Sequence, residues 1–117
     1  HAVGLDSTNL LQQLGHTRIG LINGPNGLAF SRDRRRGYIA ALENLGQAVD
    51  EKLISFGPIT ESYAYKAASE MLDQSIPPTA FICANTPSAA GLLSCLRDRK
   101  LDHSSRRWLP WLWLRQL

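Results

Sequence analysis

The 117-residue sequence has little of what a metal site, a disulfide scaffold or a membrane span requires. Its two cysteines, Cys83 and Cys95, are too few for a disulfide framework, and each lies in an apolar segment, so we expect buried, reduced thiols. The three histidines, His1, His16 and His103, have no metal-ligand spacing. No Ser-His-Asp, Cys-His or paired-carboxylate set stands out, and no run of about 18 apolar residues could span a membrane. We therefore predict no metal, no other cofactor, no enzymatic activity and no membrane partner.

The composition that is present is typical of one soluble globular domain, with 44% apolar and 20% charged residues. The net charge is only +3, although the sequence "RDRRR" places four arginines, Arg32, Arg34, Arg35 and Arg36, within five positions. Such a cluster differs from the even basic stripe of a nucleic-acid-binding domain. The N-terminus shows no signal-peptide pattern, and the reduced thiols fit a cytoplasmic protein.

Helical and strand-like periods alternate along the chain. Apolar residues from Val3 to Leu14 recur at helical spacing and predict a first helix, ended by Gly15. Three short continuous apolar runs predict strands that are buried on both faces: Ile19–Ile22, Leu53–Phe56 and Ala80–Ala84.

Each predicted strand is followed by a predicted helix. Ser31 is the expected cap of the second helix, which would bury Tyr38, Ala41, Leu42 and Leu45 and stop at Gly46. Thr60 is the expected cap of the third helix, and the fourth is predicted from Pro87 to Arg99. This alternation predicts an α/β fold with three α/β/α layers, a mainly parallel sheet and right-handed crossovers.

Ligands of open parallel sheets bind beyond the carboxyl ends of the strands. Arg34 is the arginine best placed to point there, because it lies four residues before Tyr38 on the core-facing side of its helix. Asn85 follows the third strand, and its amide offers both a donor and an acceptor for the hydroxyls of a neutral polar ligand. The loops that follow the three predicted strands at their carboxyl ends are therefore the candidate ligand-binding loops: 23–30, 57–60 and 85–87.

These features also have simpler interpretations. "GPNG" is more typical of a plain turn than of a phosphate cradle, since it lacks the P-loop and dinucleotide-binding patterns. "RDRRR" is more typical of a solvated helix face. Asn85 is equally suited to cap the following helix. His16 is better explained as a local hydrogen-bonding residue than as a ligand.

The order of the segments resembles the effector-binding domain of LacI-family transcriptional repressors. "LLQQLGHTRIGLINGP" is similar to a helix-strand passage of that family, and "SRDRRRGYIAAL" to its R-x-x-G-aromatic helix. "ITESYAYKAASEML" is similar to its third helix, and "PPTAFICANTPSAAGLL" to its PTA-hydrophobic-AND-x-x-A-x-G signature. The resemblance runs from about Gly4 to Leu101. It implies that residues 1–101 form most of the C-terminal subdomain of a periplasmic-binding-protein-like fold, which this chain leaves incomplete.

The resemblance also implies site residues and partners. Arg34 and Asn85 match family positions that contact a small effector, often a sugar or nucleoside-like molecule. Phe30 falls in the variable loop that shapes the pocket, and Thr86 stands where the family usually has the aspartate of AND. Family members act as homodimers and bind DNA through a helix-turn-helix domain that this chain does not contain. The fourth helix resembles a dimer-interface helix, with expected interface residues Ser88, Leu92 and Cys95.

The sequence departs from the family pattern after Leu101. The family continues there into a buried strand that ends in a ligand-contacting aspartate, whereas this chain gives "DHSSRRWLPWLWLRQL" with all three tryptophans. An edge strand and an interfacial membrane anchor are two alternatives for this stretch. We predict instead that residues 102–117 are a frameshifted end, and that another frame encodes the missing strand.

The main functional hypothesis is the effector-sensing portion of a bacterial LacI-family regulator in the cytoplasm. One alternative is an exported sugar-binding protein with the same fold, and another is a non-functional fragment of the regulator. A third is direct nucleic-acid binding through Arg32–Arg36, whose affinity would fall steeply with salt.

Overall fold

A computed structural model describes residues 8–9, 12–13, 15–16 and 18–100. Within these residues, three parallel strands form one sheet in the order β2-β1-β3, with Leu21 of β1 beside Ile54 of β2 and Ile82 of β3. The strands are β1 (Ile19–Asn23), β2 (Ile54–Phe56) and β3 (Ala80–Cys83). Three helices lie within residues 18–100, namely α1 (Ala29–Asn44), α2 (Glu61–Leu72) and α3 (Thr86–Asp98), and a 3-10 turn (Glu51–Leu53) precedes β2. The predicted α/β class and parallel sheet are confirmed.

The sheet is covered on both faces, as continuous apolar strand sequences require. On one face, Leu21 and Ile82 pack against Tyr38 and other residues of α1. On the opposite face, Ile22 and Phe81 pack against α2 and α3. All four strand residues have no exposed surface. The predicted three-layer α/β/α arrangement is therefore present, with the sheet in the middle.

Several predicted helix ends are confirmed by their backbone geometry. Gly15 and Gly46 have positive φ angles of 96° and 69°, the conformation that favours glycine after a helix. Thr60 caps α2, because its side-chain oxygen accepts a hydrogen bond from the Tyr63 backbone N–H at 3.2 Å.

The start of α1 was predicted wrongly. Ser31 does not cap it: the helix begins at Ala29, and Ser31 lies inside it with 1% of its surface exposed. A hydrogen bond from the Leu28 N–H to the Pro25 carbonyl already forms a turn there, so the helix begins before the serine. Leu45 was also expected to be buried, but it lies just past the end of α1 and is 61% exposed.

Two other predictions fall largely outside the described residues. Of the first predicted helix, residues 8–9 and 12–13 are helical, and the apolar positions that predicted it are not described. The segment 102–117, predicted to be frameshifted, also lies outside the described residues. In the described part, no helix combines the length and the apolar character needed to cross a membrane.

Candidate functional site

The carboxyl ends of the three strands lie level with one another. Asn23, the last residue of β1, pairs in register with Phe56, the last residue of β2. Ile22 pairs with Cys83, the last residue of β3, and the Ala84 N–H extends this ladder by donating to the Ile22 carbonyl at 3.1 Å. The three loops selected from the sequence therefore leave the sheet at one edge, where such folds bind ligands.

Asn23 organises the centre of this edge. It is 1% exposed, and its amide makes three hydrogen bonds. Its Nδ2 donates to the Ser31 carbonyl at 2.8 Å, while its Oδ1 accepts from the Gly24 N–H at 3.0 Å and from Arg34 Nη1 at 2.7 Å. The side chain thus ties the loop after β1 to the first two turns of α1.

Arg34 is half-buried, and its guanidinium reaches the carboxyl end of β1 as predicted. Nη1 is bonded to Asn23, whereas the buried Nε has no hydrogen-bond partner among the described residues. Burial lowers the pKa of Arg34, but arginine stays cationic at any physiological pH. A buried guanidinium with an unused donor is costly on its own, so the arrangement favours an acceptor from a ligand.

Asn85 sits just beyond β3, the strand next to β1. Its Oδ1 accepts a hydrogen bond from the Ser88 N–H at 3.0 Å, so Asn85 caps α3. The interpretation of Asn85 as a helix cap is therefore confirmed, and the cap uses its side-chain oxygen. The amide nitrogen of Asn85, Nδ2, has no hydrogen bond to the rest of the described chain. Because the cap uses only the oxygen, the two N–H groups of Nδ2 remain available at the sheet edge.

The other two predicted ligand residues lie at the rim. Thr86 is the first residue of α3 and is exposed. Phe30 is 77% exposed and lies in the first turn of α1, not in the preceding loop as expected, because the helix starts earlier. An exposed aromatic ring at this position offers a flat apolar surface.

The side chains expected at a dimer interface point into the core of the chain. Ser88, Leu92 and Cys95 are each no more than 2% exposed, and Leu92 and Cys95 belong to the core between the sheet, α2 and α3. They have almost no surface to offer another copy. Their helical spacing, which suggested a contact face, is the spacing of the core-facing stripe.

The buried thiols were predicted correctly. Cys83 and Cys95 are both free and fully buried. Desolvation raises the pKa of Cys83 to about 12, so it is a thiol at neutral pH. Among the described residues, no group of three His, Cys, Asp or Glu side chains is arranged to hold a metal ion.

The arginine run is not a continuous basic surface. Arg34 points to Asn23, Arg35 pairs with Glu51 at 2.8 Å, and Arg36 lies 3.6 Å from Asp33. Carboxylates therefore interrupt the row that the nucleic-acid hypothesis requires.

Asn23 is the functional residue that sequence reasoning missed. The sequence-based prediction included Asn23 only as the first residue of the loop 23–30. The available signal was an amide directly after four buried apolar residues, at a strand end where a polar side chain must find partners.

Comparisons with known proteins agree with this geometry. Residues 8–102 match the model of the periplasmic binding protein-like domain family. The HTH-type transcriptional regulator AglR of Rhizobium meliloti is 38% identical over 96 residues, which cover 82% of this chain and 27% of that protein. The HTH-type transcriptional repressor CytR of Escherichia coli is 39% identical over 89 residues, 76% of this chain and 26% of that protein.

Solved structures of similar fold are also transcriptional regulators. The Escherichia coli transcriptional repressor ascG superposes with a TM-score of 0.80 at 25% identity, over 88% of this chain and 37% of that one. A LacI-family regulatory protein of Chloroflexus aggregans superposes with a TM-score of 0.82 at 26% identity, over 86% of this chain and 36% of that one.

Three α/β/α layers with polar side chains at the strand ends define the class: a domain of the periplasmic-binding-protein type. The chain belongs to the periplasmic binding protein-like domain family, in the form found in LacI-family transcriptional regulators. The resemblance recognised from the sequence is thus confirmed. The chain spans about a quarter of the length of the curated relatives it matches.

Proposed function

We propose that this chain forms one wall of the effector-binding cleft of a bacterial, cytoplasmic LacI-family transcriptional regulator. The observation that carries the proposal is the Asn23–Arg34 network at the carboxyl ends of the strands. It holds a half-buried cation with an unused N–H at the place where this fold binds ligands.

The chemistry of the edge favours an oxygen-rich effector. Arg34, in the helix after β1, and the Nδ2 of Asn85, just beyond the neighbouring strand β3, offer N–H donors, and such donors bind hydroxyl and carbonyl oxygens. The exposed ring of Phe30 can cover the apolar face of a sugar or a base. A sugar or a nucleoside-like molecule fits this set of groups.

Effector binding would act through the equilibrium between open and closed clefts. In the family fold, a second subdomain faces this one across the cleft. A ligand that contacts both subdomains favours the closed form, and the population shift changes operator affinity in the DNA-binding part of the protein. DNA contacts then belong to a helix-turn-helix domain outside this chain. Arg34 and Asn85 would take part only in sensing.

The protein acts as a homodimer in this proposal, but through different residues from those expected. On the outer surface, α2 and α3 enclose a groove of about 560 Å³. Its lining residues are Thr60, Glu61, Ser62, Tyr65, Gly91 and Ser94. Light scattering should show that Ser62→Arg in this groove dissociates the dimer, while Ser75→Arg on the exposed α2–β3 loop leaves it intact.

The effector site is tested by titrating the chain, by calorimetry and by NMR, with a panel of neutral sugars and nucleosides. Asn85→Asp keeps the capping oxygen but removes the amide donors, so it should weaken effector binding without loss of helix α3. Arg34→Ala should weaken binding by about tenfold or more. The matched control is Asn44→Asp, at the exposed end of α1. Equal affinity in wild type, Arg34→Ala and Asn85→Asp would refute the site.

A further inference from the structure

A second polar cavity lies beside the first half of α1, next to the Asn23–Arg34 network but lined by other residues. Its volume is about 390 Å³, within the range of small-molecule sites. It opens between α1, the 3-10 turn and the end of β2. Its lining residues are Asn26, Arg32, Arg35, Arg36, Glu51 and Phe56.

The lining carries three guanidinium groups and one carboxylate. Arg32 donates to the Gly27 carbonyl at 3.2 Å, and Arg35 donates to Glu51 at 2.8 Å. Arg36 has only a 3.6 Å ion pair with Asp33. Because a guanidinium has five N–H donors, most of the donors on these side chains are not used within the described residues.

This arrangement is unfavourable for the isolated helix. Arg32 lies three and four residues before Arg35 and Arg36, so the like charges are neighbours on one face of α1. The first turn of α1 contains no acidic residue, although the positive end of the helix dipole favours one there. A bound anion would offset both the repulsion between the arginines and the missing negative charge.

We propose that this cavity binds a small organic phosphate. The phosphate oxygens would accept hydrogen bonds from Arg32, Arg35 and Arg36, since guanidinium forks match phosphate geometry. The organic part would rest against Phe56, which lines the same cavity. Asn23, Arg34 and Asn85 do not line this cavity, so the proposal does not rest on the proposed effector site.

A nucleic acid fits this surface less well than a small phosphate does. The cavity is concave and limited, and Glu51 and Asp33 lie among the arginines, where they would repel a continuous phosphate backbone. A single phosphate needs only one cluster of donors.

The test is a calorimetric titration of the chain with phenyl phosphate and with inorganic phosphate. The double variant Arg32→Gln/Arg36→Gln should weaken binding of both probes by at least about tenfold. The control Lys66→Gln/Arg97→Gln removes two exposed cations from α2 and α3 and should stay within about twofold of wild type. Equal weakening in the two double variants would mean general charge attraction and would overturn the proposal.

A second variant should change the affinity in the opposite direction. Glu51→Gln removes the carboxylate that competes for Arg35 and should tighten phenyl phosphate binding by about threefold. Glu70→Gln, at an exposed position on α2, changes the net charge equally and should have no such effect. Identical effects of the two variants would contradict the proposal. Duplex DNA that displaces phenyl phosphate and binds more tightly would overturn it in favour of a nucleic-acid interface.

Discussion

Replacing Asn23 with alanine should destabilise the chain by about 3 kcal/mol. Asn23 is buried, and its amide makes three hydrogen bonds of 2.7 to 3.0 Å to Arg34, Gly24 and Ser31. A neutral hydrogen bond contributes about 1 kcal/mol and one to a charged group about 1.5–3 kcal/mol, and these losses are not fully additive. The largest part comes from Arg34, because its half-buried guanidinium would lose its partner at the sheet edge.

Urea unfolding followed by far-ultraviolet circular dichroism measures this loss as a shift in the unfolding midpoint. Asn26→Ala is the matched control, because Asn26 lies in the same loop but is exposed. It should change the free energy of unfolding by less than about 0.5 kcal/mol. A loss below about 1 kcal/mol for Asn23→Ala would show that the network does not hold the site together.

Three further predictions concern packing, thiol reactivity and pH. Gly91→Ala should cost about 2 kcal/mol in unfolding experiments, because the new methyl group would overlap the carbonyl oxygen of the first α2 residue, whereas Gly27→Ala has open space and should be near neutral. Cys83 and Cys95 should react with a thiol reagent only after denaturation, and rapid native-state labelling would contradict their burial. Burial lowers the pKa of His16 below 6.5, so the folded state disfavours the charged ring and stability should fall as pH drops below that value. Urea titrations of wild type and His16→Gln at about pH 7.5 and about pH 5.5 should show a smaller loss in the variant; equal losses would refute this.

The fold was predictable because period, capping and turn chemistry agree along most of the chain. Ile19–Ile22 and Ala80–Cys83 are continuous apolar runs, which are typical of a sheet covered on both faces. Thr60 caps the start of α2, and Gly46, with its positive φ angle, follows the end of α1, as predicted. Ser31 is the exception, because the local turn closed by the Leu28 N–H and the Pro25 carbonyl lets the helix begin before the serine.

The site was only partly predictable. The rule that ligands bind at the carboxyl ends of strands located Arg34 and Asn85 without coordinates. The role of Asn23 depends on its hydrogen bond with Arg34, eleven residues further along the chain. The sequence spacing does not determine that these two side chains meet. Leu92 and Cys95 were expected at a dimer interface, but they lie in the core. An apolar stripe on a helix can pack against the core or against a partner, and the sequence does not distinguish these two cases.

The most direct test of the account observes the Arg34 side chain during an effector titration. In a ¹⁵N-labelled sample, the Nε–Hε resonance of Arg34 can be assigned by its absence in Arg34→Lys. The account predicts that a sugar or nucleoside that binds the chain shifts this resonance together with the Asn85 side-chain amide, and that Arg34→Lys weakens the binding. Saturable binding that leaves both resonances unmoved would contradict it.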